Sequence, residues 1–294
     1  MERAVVVGVD GSAHSDFAVY WAAAEAALRR LPLRVVHVSS LSADELAELW
    51  PYRPEPLPGH VLPDLGARFP SLRVDGVRRT GAPVAALTGE GRSAALVVLG
   101  TRGAGGFTGL PVGSVARGVA EVCPCPVVLV PGGVPGHGHV TGGPGARPGA
   151  VPAHGRPRQV ALGLDVHDPV DAAVDFAFEA ARRRGAVLRA VHAWRPTSPV
   201  AGRAPLPFRV PGAARATREA EETRTLADAV APWREKYPEV TVHEEAVLLG
   251  AADALVYASA RSDLLVLGRS ARRLGGVADP VLGRTHCPVA IVPG

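Results

Sequence analysis

Short apolar runs alternate with stretches of helical spacing along the first half of the chain, the pattern of parallel strands covered by helices. Val5–Val9 reads as the first strand and stops at Asp10-Gly11-Ser12, where Ser12 or Ser15 can cap a helix whose apolar stripe is Phe17, Trp21, Ala24 and Leu28. Arg34–Val38 follows as a second strand and Ser42–Trp50 as a helix. Pro51–Pro63 carries too many prolines for regular structure. A third strand is expected around Leu72–Val77. Pro83 sits just inside the start of a helix leading to a fourth strand at Leu96–Leu99. After a glycine-laced loop and a further helix, Val127–Val130 closes the unit.

Residues 132–157 form a Gly/Pro/His tract without hydrophobic period, the signature of a linker, and then the pattern begins again. Val160–Leu164 followed by Asp165 repeats Val5–Val9 followed by Asp10, and a helix starting near Asp168-Pro169 carries Val174, Phe178 and Ala181 on one side. Ala190-Val191-His192-Ala193 repeats Val35-Val36-His37-Val38, and a long helix from Ala213 to Trp233 replaces the proline-rich loop. Leu264–Gly268 repeats Leu96–Gly100, and the final Cys287-Pro-Val-Ala-Ile-Val-Pro repeats Cys125-Pro-Val-Val-Leu-Val-Pro. The same strand-like segments recur in one order, so the chain reads as a duplicated domain: 1–131, a linker 132–157, and 158–294.

A length of 294 residues accommodates two such domains, each with its own core, and a hydrophobic share of 47% with 20% charged residues is that of a globular chain. No apolar run approaches the ~18 residues needed to span a membrane. The N-terminus enters a strand without a basic leader, so a cytoplasmic location is expected. The net charge of +4 raises nucleic acid as a partner, but the arginines are spread over both halves and no basic run is interleaved with aromatics, so that class is set aside. Cys123, Cys125 and Cys287 precede final strands and read as small buried hydrophobes. His137, His139 and His154 fall in the linker.

The stretch with chemistry is Leu96–Val115, in which the fourth strand ends at Gly100 and Gly113-Ser114 opens a helix. Glycines let a loop turn its N–H groups inward, and Ser114 as N-cap would aim the positive end of the following helix at the same place. No mononucleotide P-loop is present, because that motif needs Gly-Lys-Ser/Thr and the chain's lysine is Lys236. The dinucleotide fingerprint also fails within Gly103–Thr108.

The spacing Gly100-x2-Gly103-x9-Gly113-Ser114 resembles the ATP-binding signature of the universal stress protein family, and both halves resemble domains of that family. The resemblance implies two tandem three-layer α/β/α domains, each with a five-stranded parallel sheet in the order 3-2-1-4-5. In such sheets ligands settle outside the carboxyl ends of the strands where the order reverses, here between strands 1 and 4. It further implies that backbone amides around Gly103, Gly113, Ser114 and Val115 cradle phosphates, with Arg102 adding charge. Asp10 would face ribose hydroxyls or a Mg²⁺ held with the phosphates, and Gly100 ends strand 4 in the same crevice. Val38, after the second-strand histidine, would contact adenine, with Val9 and Leu99 lining the pocket. His37 is expected only to pack at its strand end.

The second half departs from the signature: Gly268 to Gly276 lacks the second glycine, is shorter, and has Gly276 where Ser114 stands. It is expected to enclose less ligand, with Arg269, Arg272 and Arg273 as a solvated cluster or anion-holding substitutes, so one ATP per chain is anticipated. Neither an acid/base pair, a partnered nucleophile nor zinc-ligand spacing appears at the site. The expectation is therefore a non-enzymatic, ATP-binding regulatory module of the stress response. A nucleotide-independent scaffold and a slow ATPase are the alternatives. If lone domains of the family pair through their last strands, Val127–Val130 and Val289–Val292 could pair within one chain, with a homodimer as a further level of association.

Overall fold

A computed structural model of the protein describes residues 3–39, 61–103, 112–132, 158–194, 212–270 and 274–294. The expected helix Ser42–Trp50, the middle of the glycine loop (104–111), the linker from 133 to 157, and Arg272 and Arg273 lie outside these residues. In the first half the strands are β1 (Ala4–Val9), β2 (Leu33–Ser39), β3 (Val74–Thr80), β4 (Ala94–Gly100) and β5 (Val127–Val130). In the second they are β6 (Gln159–Gly163), β7 (Val187–Trp194), β8 (Val242–Leu248), β9 (Leu264–Arg269) and β10 (Val289–Pro293). The helices, in chain order, are α1 (Ala13–Arg29), α2 (Val61–Arg68), α3 (Pro83–Gly91), α4 (Ser114–Val122), α5 (Asp171–Arg184), α6 (Gly212–Lys236), α7 (Ala251–Ser259) and α8 (Ala278–Leu282).

The strands form one sheet in the order β3-β2-β1-β4-β5-β10-β9-β6-β7-β8, which is the arrangement 3-2-1-4-5 twice, joined edge to edge. Pairing within each half is parallel. At the seam β5 and β10 run antiparallel, with Val289 opposite Leu129 and Ile291 opposite Val127, so the last strands do meet within one chain. Burial on both faces explains the unbroken apolar strands. Val5, Val7 and Val9 join a core shared with α1, α2, α5 and α6, while Val6 joins the opposite one, shared with α3, α4, α7 and α8. Helices therefore cover both faces of the sheet, giving three layers.

Three local expectations need correction. In α1 the fully buried face is Ala18, Ala22, Ala23 and Ala26 with Val19; Phe17, Trp21 and Ala24 pack at its margin and Leu28 is exposed. Small side chains let the helix lie close to the sheet, and the large ones fill its flanks. Pro63 lies in the first turn of α2 and not in an irregular loop, because a first-turn N–H has no intrahelical partner to lose. β3 lies two residues later at its start and reaches Thr80, since its register against β2 runs from Leu33↔Val74 to Ser39↔Thr80. No helix among the described residues is long and apolar enough to cross a membrane.

All three cysteines are free and buried. The Cys123 and Cys125 sulfurs lie 3.5 Å apart. Hydrogen bonding from the Cys125 thiol holds the Cys123 thiol below its ordinary value, with Arg269 adding to the effect. Burial pushes Cys287 up to about 12.

Candidate functional site

The reversal of strand order leaves a crevice at the carboxyl ends of β1 and β4, a cavity of about 320 Å³ as bounded by the described residues. Val9, Asp10, Val38, Leu99, Gly100, Arg102, Gly103, Gly113, Ser114 and Val115 all line it. Its buried lining, Gly8, Val36, Leu87 and Leu99 with the half-buried Val38, is apolar. Its exposed lining, Asp10, Arg102 and Ser114 at the start of α4, is polar. A cavity with one apolar part and one polar part suits a ligand with a flat apolar part and an anionic tail.

Asp10 is held by the turn that follows β1. Its Oδ1 accepts the Ser12 N–H at 3.1 Å and the Ser12 hydroxyl at 2.6 Å. Ser12 in turn caps α1, its Oγ accepting the Ser15 N–H at 3.2 Å. Gly11 between them sits at φ +78°, in the left-handed region that glycine adopts freely. The β4 loop packs directly on this turn. A Cβ on Gly103 would lie 2.4 Å from Asp10 Oδ2, and one on Gly100 would lie 2.7 Å from the His14 carbonyl oxygen. Gly100 is thus required by close approach to backbone, while a side chain at Gly103 would have to push the Asp10 carboxylate aside.

The helix start differs from expectation by one residue. Gly113, not Ser114, is the N-cap, because its N–H donates to the Thr101 carbonyl at 2.8 Å and fixes the chain just before the first turn. Ser114 is the first helical residue and is exposed. No side chain caps α4, so the leading N–H groups and the positive end of the helix dipole face the cavity mouth. His37 does more than pack: its Nδ1 contacts the Val9 carbonyl at 3.0 Å, tying the ends of β2 and β1 together below the crevice.

The equivalent crevice persists in the second half as a cavity of about 520 Å³. Its lining is different in kind, with Asp165, His167, His192, Arg218 and Glu222 joining Gly268 and Gly276. The second-strand histidine repeats its tie, His192 Nδ1 lying 3.1 Å from the Leu164 carbonyl. Arg269 does not serve this crevice as an anion holder. Its guanidinium donates to the carbonyls of Glu121 and, at 2.7 Å, Cys123, at the far end of α4 in the first half. Sequence spacing could not have exposed the His167, His192 and Glu222 grouping, because the three stand on separate segments.

Comparison with known proteins agrees with this architecture. A family model described as the universal stress protein family matches residues 1–131 and 157–293. A universal stress protein of Mycobacterium tuberculosis is 32% identical over 99% of this chain and 97% of its own length. One of Mycolicibacterium smegmatis is 30% identical over 98% and 94%. The crystal structure of a universal stress protein from Archaeoglobus fulgidus has the same fold, with a TM-score of 0.62 at 16% identity, covering 99% of this chain and 98% of that one. The tandem match over both halves, together with full-length relatives at this identity, shows that the chain belongs to the universal stress protein family.

Proposed function

We propose that the N-terminal crevice binds ATP and that the protein is a nucleotide-dependent regulatory module of the stress response, binding without efficient turnover. The observation that carries this reading is the convergence of the glycine motif, Asp10 and an uncapped helix start on one cavity with an apolar buried lining. Helix N–H groups and loop amides around Gly103, Gly113, Ser114 and Val115 would take the phosphates, and Arg102 would add charge. Val9, Val38 and Leu99 would enclose the base. Asp10, oriented by Ser12 with its second oxygen beside Gly103, has the hard oxygen donor that ribose hydroxyls or a phosphate-bound Mg²⁺ would use.

Acid extraction and chromatography of the purified protein should release an adenine nucleotide, and calorimetry should return one ATP per chain. Gly113→Val combined with Ser114→Ala should abolish it, through a side chain where the amides must approach phosphate. Two equal sites, no site, or full affinity in the double variant would overturn the reading.

A second reading, a scaffold that needs no nucleotide, draws on the β5–β10 pairing that fuses the halves into one sheet. It predicts an unchanged melting temperature and unchanged partner capture after nucleotide removal. A slow ATPase would show phosphate release above that of Asp10→Ala.

A further inference from the structure

We propose that the C-terminal crevice is a transition-metal site of the zinc class, with His167, His192 and Glu222 as its protein ligands. The three come from the turn after β6, from β7 and from α6, and their donor atoms all lie within 4.8 Å of one another. His192 and Glu222 are buried, whereas His167 is exposed at the mouth.

The two buried groups are already set for an ion. His192 keeps Nδ1 against the Leu164 carbonyl at 3.1 Å, a contact that places the proton on Nδ1 and leaves the Nε2 lone pair for a metal. That Nε2 faces Glu222 Oε2 at 3.4 Å, longer than a good charge-assisted hydrogen bond. The separation matches the roughly 3.4 Å between neighbouring donors around a tetrahedral ion bound at about 2.0–2.1 Å. The other Glu222 oxygen accepts from Arg218 at 2.7 Å, the kind of outer partner that orients a ligating carboxylate. His167 stands edge-on to His192 with ring centroids 6.1 Å apart, and its backbone N–H is anchored on Asp165 Oδ1 at 3.0 Å. With its donor nitrogen already within 4.8 Å of the other two ligand atoms, this exposed ring would close the set by rotating inward. Imidazole, imidazole and carboxylate is a zinc-type donor set, and three protein ligands leave a fourth position open to water or to an oxygen donor of an anionic ligand in the crevice. The N-terminal half keeps the histidine tie through His37, but among the described residues no such trio accompanies it.

The test is Zn²⁺ titrated against a chromophoric chelator into the metal-free full chain, in a background carrying His137→Ala, His139→Ala and His154→Ala so that the Gly/Pro/His tract cannot contribute. One equivalent should bind and raise the melting temperature, and Co²⁺ in its place should develop visible ligand-field bands. Adding His167→Ala should weaken Zn²⁺ binding at least about tenfold and remove the melting shift, with the metal-free melting temperature unchanged because the ring is exposed. Glu222→Gln should weaken it similarly. Zinc affinity unaltered by His167→Ala, or no binding by the parent at micromolar Zn²⁺, would overturn the assignment.

Discussion

A single methyl group is the sharpest probe of the N-terminal crevice. At Gly103 an added Cβ meets Asp10 Oδ2 at 2.4 Å, while the other oxygen of the same carboxylate is held by the Ser12 N–H and hydroxyl. Gly103→Ala should therefore displace either the carboxylate or the loop by a few tenths of an ångström or more, at the point where ATP is proposed to bind. Expected is a loss of affinity of roughly tenfold, equivalent to about 1.4 kcal/mol, with thermal stability close to that of the parent because Asp10 is exposed. Calorimetry and a thermal melt on the same preparation check both halves of this expectation. A similar substitution at Gly185, which ends α5 at φ +56° with open space around its Cβ, should do the reverse. It should cost about 1–2 kcal/mol of stability through left-handed backbone strain and leave nucleotide binding alone.

At the scale of elements, α4 is held from both ends by different halves of the molecule. Its start packs against Thr101 of the first half, while its terminal carbonyls accept from Arg269 at the end of β9. A cation at a helix carboxyl end favours the dipole whose positive end faces the crevice, and the contact also fixes where that end points. Arg269→Ala should loosen α4, weaken ATP binding several-fold and lower the melting temperature, although Arg269 lies in the half without the glycine motif. An unchanged dissociation constant would mean that α4 is positioned by its sheet packing alone. The central strands were legible in the sequence because parallel strands buried on both faces leave unbroken apolar runs such as Val5–Val9 and Leu96–Leu99, whereas the partly exposed edge strands were misplaced at the start (β3) or not read (β8). The helix cap was misread at Ser114 because the deciding contact, Gly113 N–H to the Thr101 carbonyl, crosses a loop of unreadable path. Arg269 reads from the sequence as a solvated or anion-holding side chain for the same reason: it stands beside Gly268, and nothing in the sequence shows that its side chain crosses to the other half.

The molecule as a whole closes around a charge that the sequence could not pair. Glu25 on α1 is 1% exposed and lies between Arg29 of its own helix, at 2.6 Å, and Arg184 at the end of α5. Arg29 also sits over the Phe176 ring, 5.1 Å from its centre, so the two halves are joined on this face of the sheet as well as along β5–β10. Burial alone would raise the Glu25 carboxyl, but the guanidiniums of Arg184 and Arg29 outweigh it and hold the group below the usual carboxylate range. A lowered folded value means that this group's contribution to stability is complete above the unfolded value of 4.5 and is lost as pH falls through the folded one. Glu25→Gln leaves two largely covered guanidiniums without their counter-charge, a change that should cost a sizeable part of the roughly 3–5 kcal/mol seen when a fully buried pair is broken. Urea unfolding at pH 7 should show that loss, and the gap between parent and variant should narrow progressively below about pH 4.5 as the parent's own carboxylate is protonated. A gap that stays constant down to pH 3 would mean that the cost comes from packing of the amide, and the halves would then owe their docking to the shared sheet and not to this triad.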